Sequence, residues 1–393
     1  MGRKLRNVVK KAVIFLYRIL CAVFPVKKNR IVFDSNLGKS YAGNPKYIYE
    51  YMVNGGYDKK WDCIWFYENE RYHIPGRSRQ VKYGRLRYLY YMATARIWVF
   101  DSRQPEFLIR RKNTYYIQTW HGTPLKKLAL DLEDVFMVNE NSIETYKEKF
   151  AKNAHTWDYL ISQNAFSSET FRRAFDFRNE MLEVGYPRND ILFRDNTKEA
   201  VESRRRELGL PADKKIILYA PTWRDDEFSA DNQYEFRPRI SFELLQKELG
   251  QDYIMIVKYH YLIMDAVDWS PYKGFVYLFD QSRDIAELFL VSDILITDYS
   301  SVMFDYSILK RPMFFYAYDL YKYKNELRGF YFDYEEEVPG PVSETTEQLI
   351  EDIRTYDSSV YAERYRRFSE KYNSFDNGTA SKQVVERIES LIQ

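Results

Sequence analysis

The chain is short of cysteine, of net charge and of long apolar runs, and each shortage removes a class of protein. Cys21 and Cys63 are the only cysteines in 393 residues. Two thiols build neither a disulfide framework nor a cysteine-ligated zinc site, which agrees with a reducing compartment. Lysine and arginine exceed aspartate and glutamate by only two, 59 against 57. So small an excess gives no case for a nucleic-acid partner. A membrane-spanning helix needs about 20 consecutive apolar residues. The apolar stretch 12–26 is broken by Arg18, so it neither spans a bilayer nor forms the h-region of a cleaved signal peptide. A Walker loop, a Gly-rich dinucleotide fingerprint, a His-Glu-x-x-His motif and an Asp-x-Asp metal clamp are also missing. No metal and no cofactor are expected.

What is plentiful is aromatic, with 36 Tyr and 26 Phe. Tyrosine has an apolar body and a polar tip, so most of these residues are expected in ordinary half-buried packing, with some lining wet clefts. Charge is uneven along the chain. Residues 1–30 carry nine basic side chains and no acidic one. At helical spacing Leu5, Val8, Val9, Ala12, Leu16, Ile19, Leu20 and Val23 share a face, with Arg6, Lys10, Lys11 and Arg18 opposite. That pattern predicts a helix lying on an anionic membrane surface. Its alternative is a core-packing helix with a solvated basic face.

Beyond Pro25, short apolar runs alternate with amphipathic stretches. Strand-like runs at 30–34, 61–67, 97–100, 114–119, 159–162 and 181–184 are followed, after the charged connection 194–206, by others at 215–219, 253–258, 275–278, 294–297 and 313–316. Helical stretches lie between them, among them 45–54, 86–95, 242–249 and 285–291. Such alternation predicts an α/β protein with two doubly wound, Rossmann-like domains. The expected divisions are a basic amphipathic helix at 1–28, an amino-terminal Rossmann-like domain at 29–194 and a carboxyl-terminal one at 195–393. In such sheets ligands sit beyond the carboxyl ends of the strands, so the two domains are expected to face each other across one cleft.

The chemically suggestive clusters follow strand-like runs. After 115–118 comes Thr119-Trp120-His121-Gly122-Thr123-Pro124. Gly122 permits close backbone approach, Thr123 can cap and Pro124 suits the first position of a helix, so an anion-binding helix start beside His121 is expected. A histidine buried for packing is the alternative. After 294–297 comes Asp298-Tyr299-Ser300-Ser301, where hydroxyls and N–H groups opening a helix through Leu309 could hold phosphate, and Asp305 could reach back to a ribose. Three more loops supply donors: Arg188 in 185–190, Thr222 and Trp223 in 220–226, and Lys258, Tyr259 and His260 after 253–257. Arg188 and Lys258 give fixed positive charge, and His260 a switchable donor. His121 and His260, two of only four histidines, both end strands, which is hard to assign to packing.

The ordered series HGTPLKKL, GYPRND, YAPTWRDD, KYH, ITDYSSVMFDYSILKRP and RGFYFDYEEEVPGP resembles the CDP-glycerol glycerophosphotransferases that build the wall teichoic acids of Gram-positive bacteria. The likeness runs from about Arg30 to Asn377. It implies the GT-B-like arrangement of two Rossmann domains and transfer of glycerol phosphate from CDP-glycerol, with release of CMP. It also implies catalytic roles for His121 and His260. Donor contacts are implied from His121, Gly122, Thr123, Pro124, Leu125, Arg188, Thr222, Trp223, Lys258, Tyr259, His260, Ser300, Ser301 and Asp305. The implied acceptor is an undecaprenyl-diphosphate-linked saccharide or polyol phosphate at the cytoplasmic face of the membrane, where the protein is peripheral. Lys258 stands where relatives often carry arginine, which weakens the case for bidentate phosphate binding there. By length the chain resembles the short, priming or second-step members. Two alternatives stay open: ribitol phosphate taken from CDP-ribitol for a teichoic acid or capsule, and a non-catalytic nucleotide-binding scaffold at the membrane surface.

Overall fold

In the computed structural model the described residues are 3–133, 142–222, 238–258, 267–279, 283–323 and 329–393, with the backbone alone for 3–7. They form two compact units. Unit 1 comprises residues 1–121, 128–190 and 375–393, and unit 2 comprises 122–127 and 191–374.

Unit 1 is built on seven strands: β1 (Lys27–Asp34), β2 (Asp62–Tyr67), β3 (Ser78–Lys82), β4 (Ala95–Phe100), β5 (Tyr115–Gln118), β6 (Tyr159–Ser162) and β7 (Glu180–Glu183). Their order across the sheet is β3-β2-β1-β4-β5-β6-β7, and every pair is parallel. Central strands of such a sheet are covered on both faces and must be apolar throughout. Along β1, Val32 joins a core with Phe66, Trp98 and Leu160, whereas Ile31 and Phe33 join the opposite one with Trp65, Ile97 and Ile161. The pleat alone sorts neighbouring residues to opposite cores.

Unit 2 repeats the plan with β8 (Lys215–Tyr219), β9 (Tyr253–Val257), β10 (Val276–Leu278), β11 (Ile294–Thr297), β12 (Met313–Tyr316) and β13 (Val342–Ser343). The order is β10-β9-β8-β11-β12-β13, again all parallel. Counted within each unit, both sheets contain the 3-2-1-4-5-6 order of doubly wound nucleotide-binding folds. The order of the strands reverses between β1 and β4 in unit 1 and between β8 and β11 in unit 2. Ligand crevices of this fold open at those switch points, beyond the carboxyl ends of the strands.

Four details depart from the expectations. The edge strand β3 carries one buried residue, Val81, so it lacks an apolar signature, and β13 has only two residues. The last helix, Ala380–Ile392, returns to unit 1, where Val384, Val385 and Ile388 enter the core. Residues 122–127 belong to unit 2. Finally, the leading helix Arg3–Val23 is part of unit 1 and not a separate body. Tyr17 is fully buried, its hydroxyl donates to the Ile109 carbonyl across 3.1 Å, and Val13, Leu20 and Cys21 pack beside it. Leu20 therefore faces protein, contrary to its expected place on a lipid-facing stripe. Among the described residues no helix is long and apolar enough to cross a membrane.

Candidate functional site

His121 follows β5 at the carboxyl edge of unit 1 and is solvent-exposed. The residue before it, Trp120, has φ +51°, a left-handed conformation that a bulky side chain adopts only when its surroundings dictate it. The surroundings here are specific. The Trp120 N–H donates to Gln118 Oε1 at 3.0 Å, and its indole packs against Phe175 with ring centroids 4.6 Å apart. The His121 ring also stacks on Trp120, with ring centroids 4.5 Å apart and planes at 24°. On the far side, His121 Nδ1 lies 3.1 Å from the carbonyl oxygen of Asp101, which follows β4. A carbonyl only accepts, so Nδ1 carries the proton and the neutral ring keeps its lone pair on Nε2.

Arg188, in the turn after β7, completes this group by donating from Nη1 to the His121 carbonyl at 2.8 Å. Crowding by protein atoms lowers the His121 pKa; the Asp101 carboxyl opposes that shift and the Arg188 cation reinforces it. The ring has an open edge, and the direction is toward the neutral form. Asp101 itself is buried and its pKa is raised, chiefly by desolvation, despite His121 and bonds from Asn36 N–H and Ser102 Oγ, both at 2.8 Å.

The rest of the 185–190 turn does structural work. Gly185 has φ +83°, and a Cβ there would sit 2.8 Å from Asp376 Oδ1 and from the Phe375 carbonyl. The Tyr186 N–H donates to Asp376 Oδ1 at 3.0 Å, and Asp190 accepts from Ala380 and Ser381 N–H at the start of the last helix. The motif thus ties down the returning carboxyl terminus as well as presenting Arg188.

Gly122, Thr123, Pro124 and Leu125 are buried in unit 2, and no helix starts at Pro124. The segment runs extended: Lys126 bridges Phe330 in antiparallel fashion, Tyr331 N–H donates to the Leu125 carbonyl at 3.0 Å, and Lys127 N–H to the Gly329 carbonyl at 3.3 Å. Pairing with the 329–331 segment takes up backbone groups that a helix would have used. The anion-binding helix start expected beside His121 is therefore absent.

Other candidates of unit 2 gather along the carboxyl edge of its sheet. Thr222 follows β8, and its N–H donates to Asp298 Oδ1 beyond β11 at 2.7 Å, clasping the switch point. Thr297 Oγ1 donates to the Ala220 carbonyl at 2.7 Å in the same clasp. Lys258 follows β9, with Nζ donating to the Arg283 carbonyl at 2.9 Å. Ser300 and Ser301 precede the helix Val302–Tyr306, where Ser300 Oγ accepts from Val302 N–H at 3.4 Å; a 3-10 turn, Ser307–Leu309, continues it. Asp305 is buried on that helix. Trp223, Tyr259 and His260 lie outside the described residues.

Both the sequence and the fold have counterparts in known proteins. The sequence model of the CDP-Glycerol:Poly(glycerophosphate) glycerophosphotransferase family matches residues 15–390. The chain belongs to that family. A teichoic acid poly(glycerol phosphate) polymerase of Bacillus spizizenii is 42% identical over 98% of this chain and 98% of its own length. The polymerase of Bacillus subtilis is 44% identical over 94% of this chain, which spans only 50% of that longer protein. Among solved structures, the wall teichoic acid polymerase TagF superposes with a TM-score of 0.91 at 42% identity, over 99% of this chain and 96% of that one. A teichoic acid poly(ribitol-phosphate) polymerase of B. spizizenii is more distant, at 31% identity over 98% of this chain and 61% of its own length.

Asn44 and Asp101 stand outside the candidates drawn from the sequence, and Trp120 stands in the first cluster without a role of its own. Asp101 follows a strand just as the chosen candidates do and was legible by the same rule. Asn44, in Gly-Asn-Pro at a helix start, reads as an ordinary turn.

Proposed function

We propose that the chain transfers glycerol phosphate from CDP-glycerol to a hydroxyl of a lipid-linked acceptor in wall teichoic acid synthesis, releasing CMP. The observation that carries this reading is the His121 arrangement: a neutral imidazole, Nδ1–H held by the Asp101 carbonyl and Nε2 left to accept, beside the Arg188 cation. Family membership supplies the donor, and the greater distance of the ribitol relatives favours glycerol over ribitol.

In the reaction, Nε2 of His121 takes the proton of the acceptor hydroxyl as its oxygen bonds to the β-phosphorus of the donor. The bond from that phosphorus to the bridging oxygen breaks, and CMP departs with the electron pair. The glycerol phosphate is then a diester on the acceptor. Arg188 contributes fixed positive charge to the transferring phosphoryl group. On the donor side, Thr222, Lys258, Ser300 and Ser301 are assigned to phosphate and Asp305 to the ribose, with Trp223, Tyr259 and His260 completing that set and His260 sharing in catalysis.

Membrane association belongs to the same proposal. With Tyr17 turned into the core, the outer face of the leading helix exposes Val8, Phe15, Ile19 and Val23 in one stripe, at 62%, 67%, 41% and 64% of their surfaces, with Lys11 and Arg18 alongside. An apolar stripe flanked by cations fits an anionic membrane surface, where a lipid-linked acceptor would be found. The function is tested by incubating the purified chain with CDP-glycerol and a synthetic lipid-linked acceptor. The expected product is the acceptor heavier by glycerol phosphate units, with CMP in equal amount; an unmodified acceptor contradicts the proposal.

A further inference from the structure

We infer that Asn44 is a positioning residue for the transfer reaction, the group that sets His121 and Arg188 relative to each other. Its kinetic readout rests on the proposed transfer reaction, whereas its spectroscopic readout rests on unit 1 alone.

Asn44 stands at the start of the helix Gly43–Asn54 and is 1% exposed. Its Nδ2 donates to the Thr119 carbonyl and to the Trp120 carbonyl, both at 3.1 Å, and its Oδ1 accepts from the Arg188 N–H at 3.2 Å. The amide has two N–H donors, and they meet two successive carbonyls. The flipped amide would set an oxygen against both carbonyls and an N–H against an N–H, so the bonding pattern fixes its orientation.

What those bonds control is specific. The Thr119 carbonyl belongs to the peptide before the φ rotation of Trp120, and the Trp120 carbonyl to the peptide after its ψ rotation. Tethering both to one side chain fixes both dihedrals of Trp120, the residue held at φ +51°. The second tethered peptide leads directly into His121, so the placement of the imidazole against the Asp101 carbonyl follows from it. The third bond holds the backbone of Arg188, whose guanidinium returns to the His121 carbonyl at 2.8 Å. One buried amide therefore joins a helix start, the loop after β5 and the turn after β7, and no other natural side chain of that length offers two donors and an acceptor in one plane. Near-attack geometry is sensitive to displacements of this order, since a shift of about 1 Å costs about a hundredfold in rate.

The test compares Asn44→Ala and Asn44→Asp with the unaltered chain, with thermal unfolding as a check of folding. Only four histidines are present, so their ring nitrogens can be assigned in long-range proton–nitrogen spectra. The unaltered chain should show His121 protonated on Nδ1, and both variants a mixture of tautomers. Turnover at saturating CDP-glycerol should fall about a hundredfold while the donor KM stays within about threefold, as for a loss confined to the transition state. Asn44→Asp carries a further signature. When protonated, the introduced carboxyl regains one O–H donor, so its turnover relative to the unaltered chain should rise on acidification, while that of Asn44→Ala stays level. If Asn44→Ala does not fold, Asn44→Ser, which keeps one donor, takes its place. Folded variants with unchanged His121 signals overturn the inference, whatever their turnover. If the unaltered chain releases no CMP from CDP-glycerol, the proposed function fails. The imidazole spectra then still decide the role of Asn44, a changed His121 tautomer supporting it and an unchanged one overturning it.

Discussion

The carbonyl oxygen of Asp101 accepts a hydrogen bond from Nδ1 of His121 across 3.1 Å, and this one contact gives a surface histidine a defined tautomer. It selects the tautomer with the lone pair on Nε2, and it fixes the plane of the ring against Trp120.

A pH dependence follows from the surroundings of that ring. Crowding by protein atoms and the Arg188 cation favour the neutral form, and the Asp101 carboxyl opposes them with less effect. His121 therefore titrates below the ordinary value of about 6.5. Activity that needs neutral His121 is lost as pH falls through that lowered pKa. Arg188→Gln removes a cation that disfavours protonation, so the acid limb of kcat/KM should move to higher pH as activity drops. A pH profile of the two proteins checks this, and movement to lower pH would contradict the electrostatic account.

Gly185 offers a test of the turn that carries Arg188. Its φ of +83° and the 2.8 Å approach to Asp376 Oδ1 and the Phe375 carbonyl leave no room for a methyl group. Gly185→Ala should cost about 1–3 kcal/mol, the range for a strained backbone position. Denaturant unfolding would read this directly, and unaltered stability would show that the returning terminus yields easily.

The leading helix makes two separable predictions. Phe15→Glu combined with Ile19→Glu alters only exposed residues, so the protein should fold normally yet lose its binding to anionic vesicles. Tyr17→Ala empties a fully buried position and should destabilise unit 1 by about 3–5 kcal/mol. Vesicle sedimentation and unfolding curves distinguish the two faces. Equal vesicle binding by the Phe15/Ile19 double variant would remove the membrane role from this stripe.

Much of this was legible in the sequence, for physical reasons that differ between residues. Buried parallel strands such as β1, β8 and β11 declare themselves as apolar runs because both faces are covered. The edge strand β3 does not, since only Val81 is buried there. Helical periodicity placed Leu20 and Val23 on one face, but it could not tell a face turned to protein from one turned to lipid. In the structure Leu20 packs inward and Val23 is exposed. At Gly122–Pro124 local turn chemistry favoured a helix start, and pairing with Gly329–Tyr331 prevailed. That partner lies about two hundred residues away, beyond any local rule. Asn44 was illegible for the same reason, because its meaning lies in Thr119, Trp120 and Arg188.

The most direct measurement is CMP release by the purified chain on a lipid-linked acceptor, with CDP-glycerol and CDP-ribitol supplied separately and His121→Ala run in parallel. Loss of a general base should lower turnover by about 100- to 10,000-fold and leave donor affinity within about tenfold. CMP is expected from CDP-glycerol, little from CDP-ribitol, with near loss of the signal in His121→Ala. Faster release from CDP-ribitol, or undiminished turnover in His121→Ala, would contradict it.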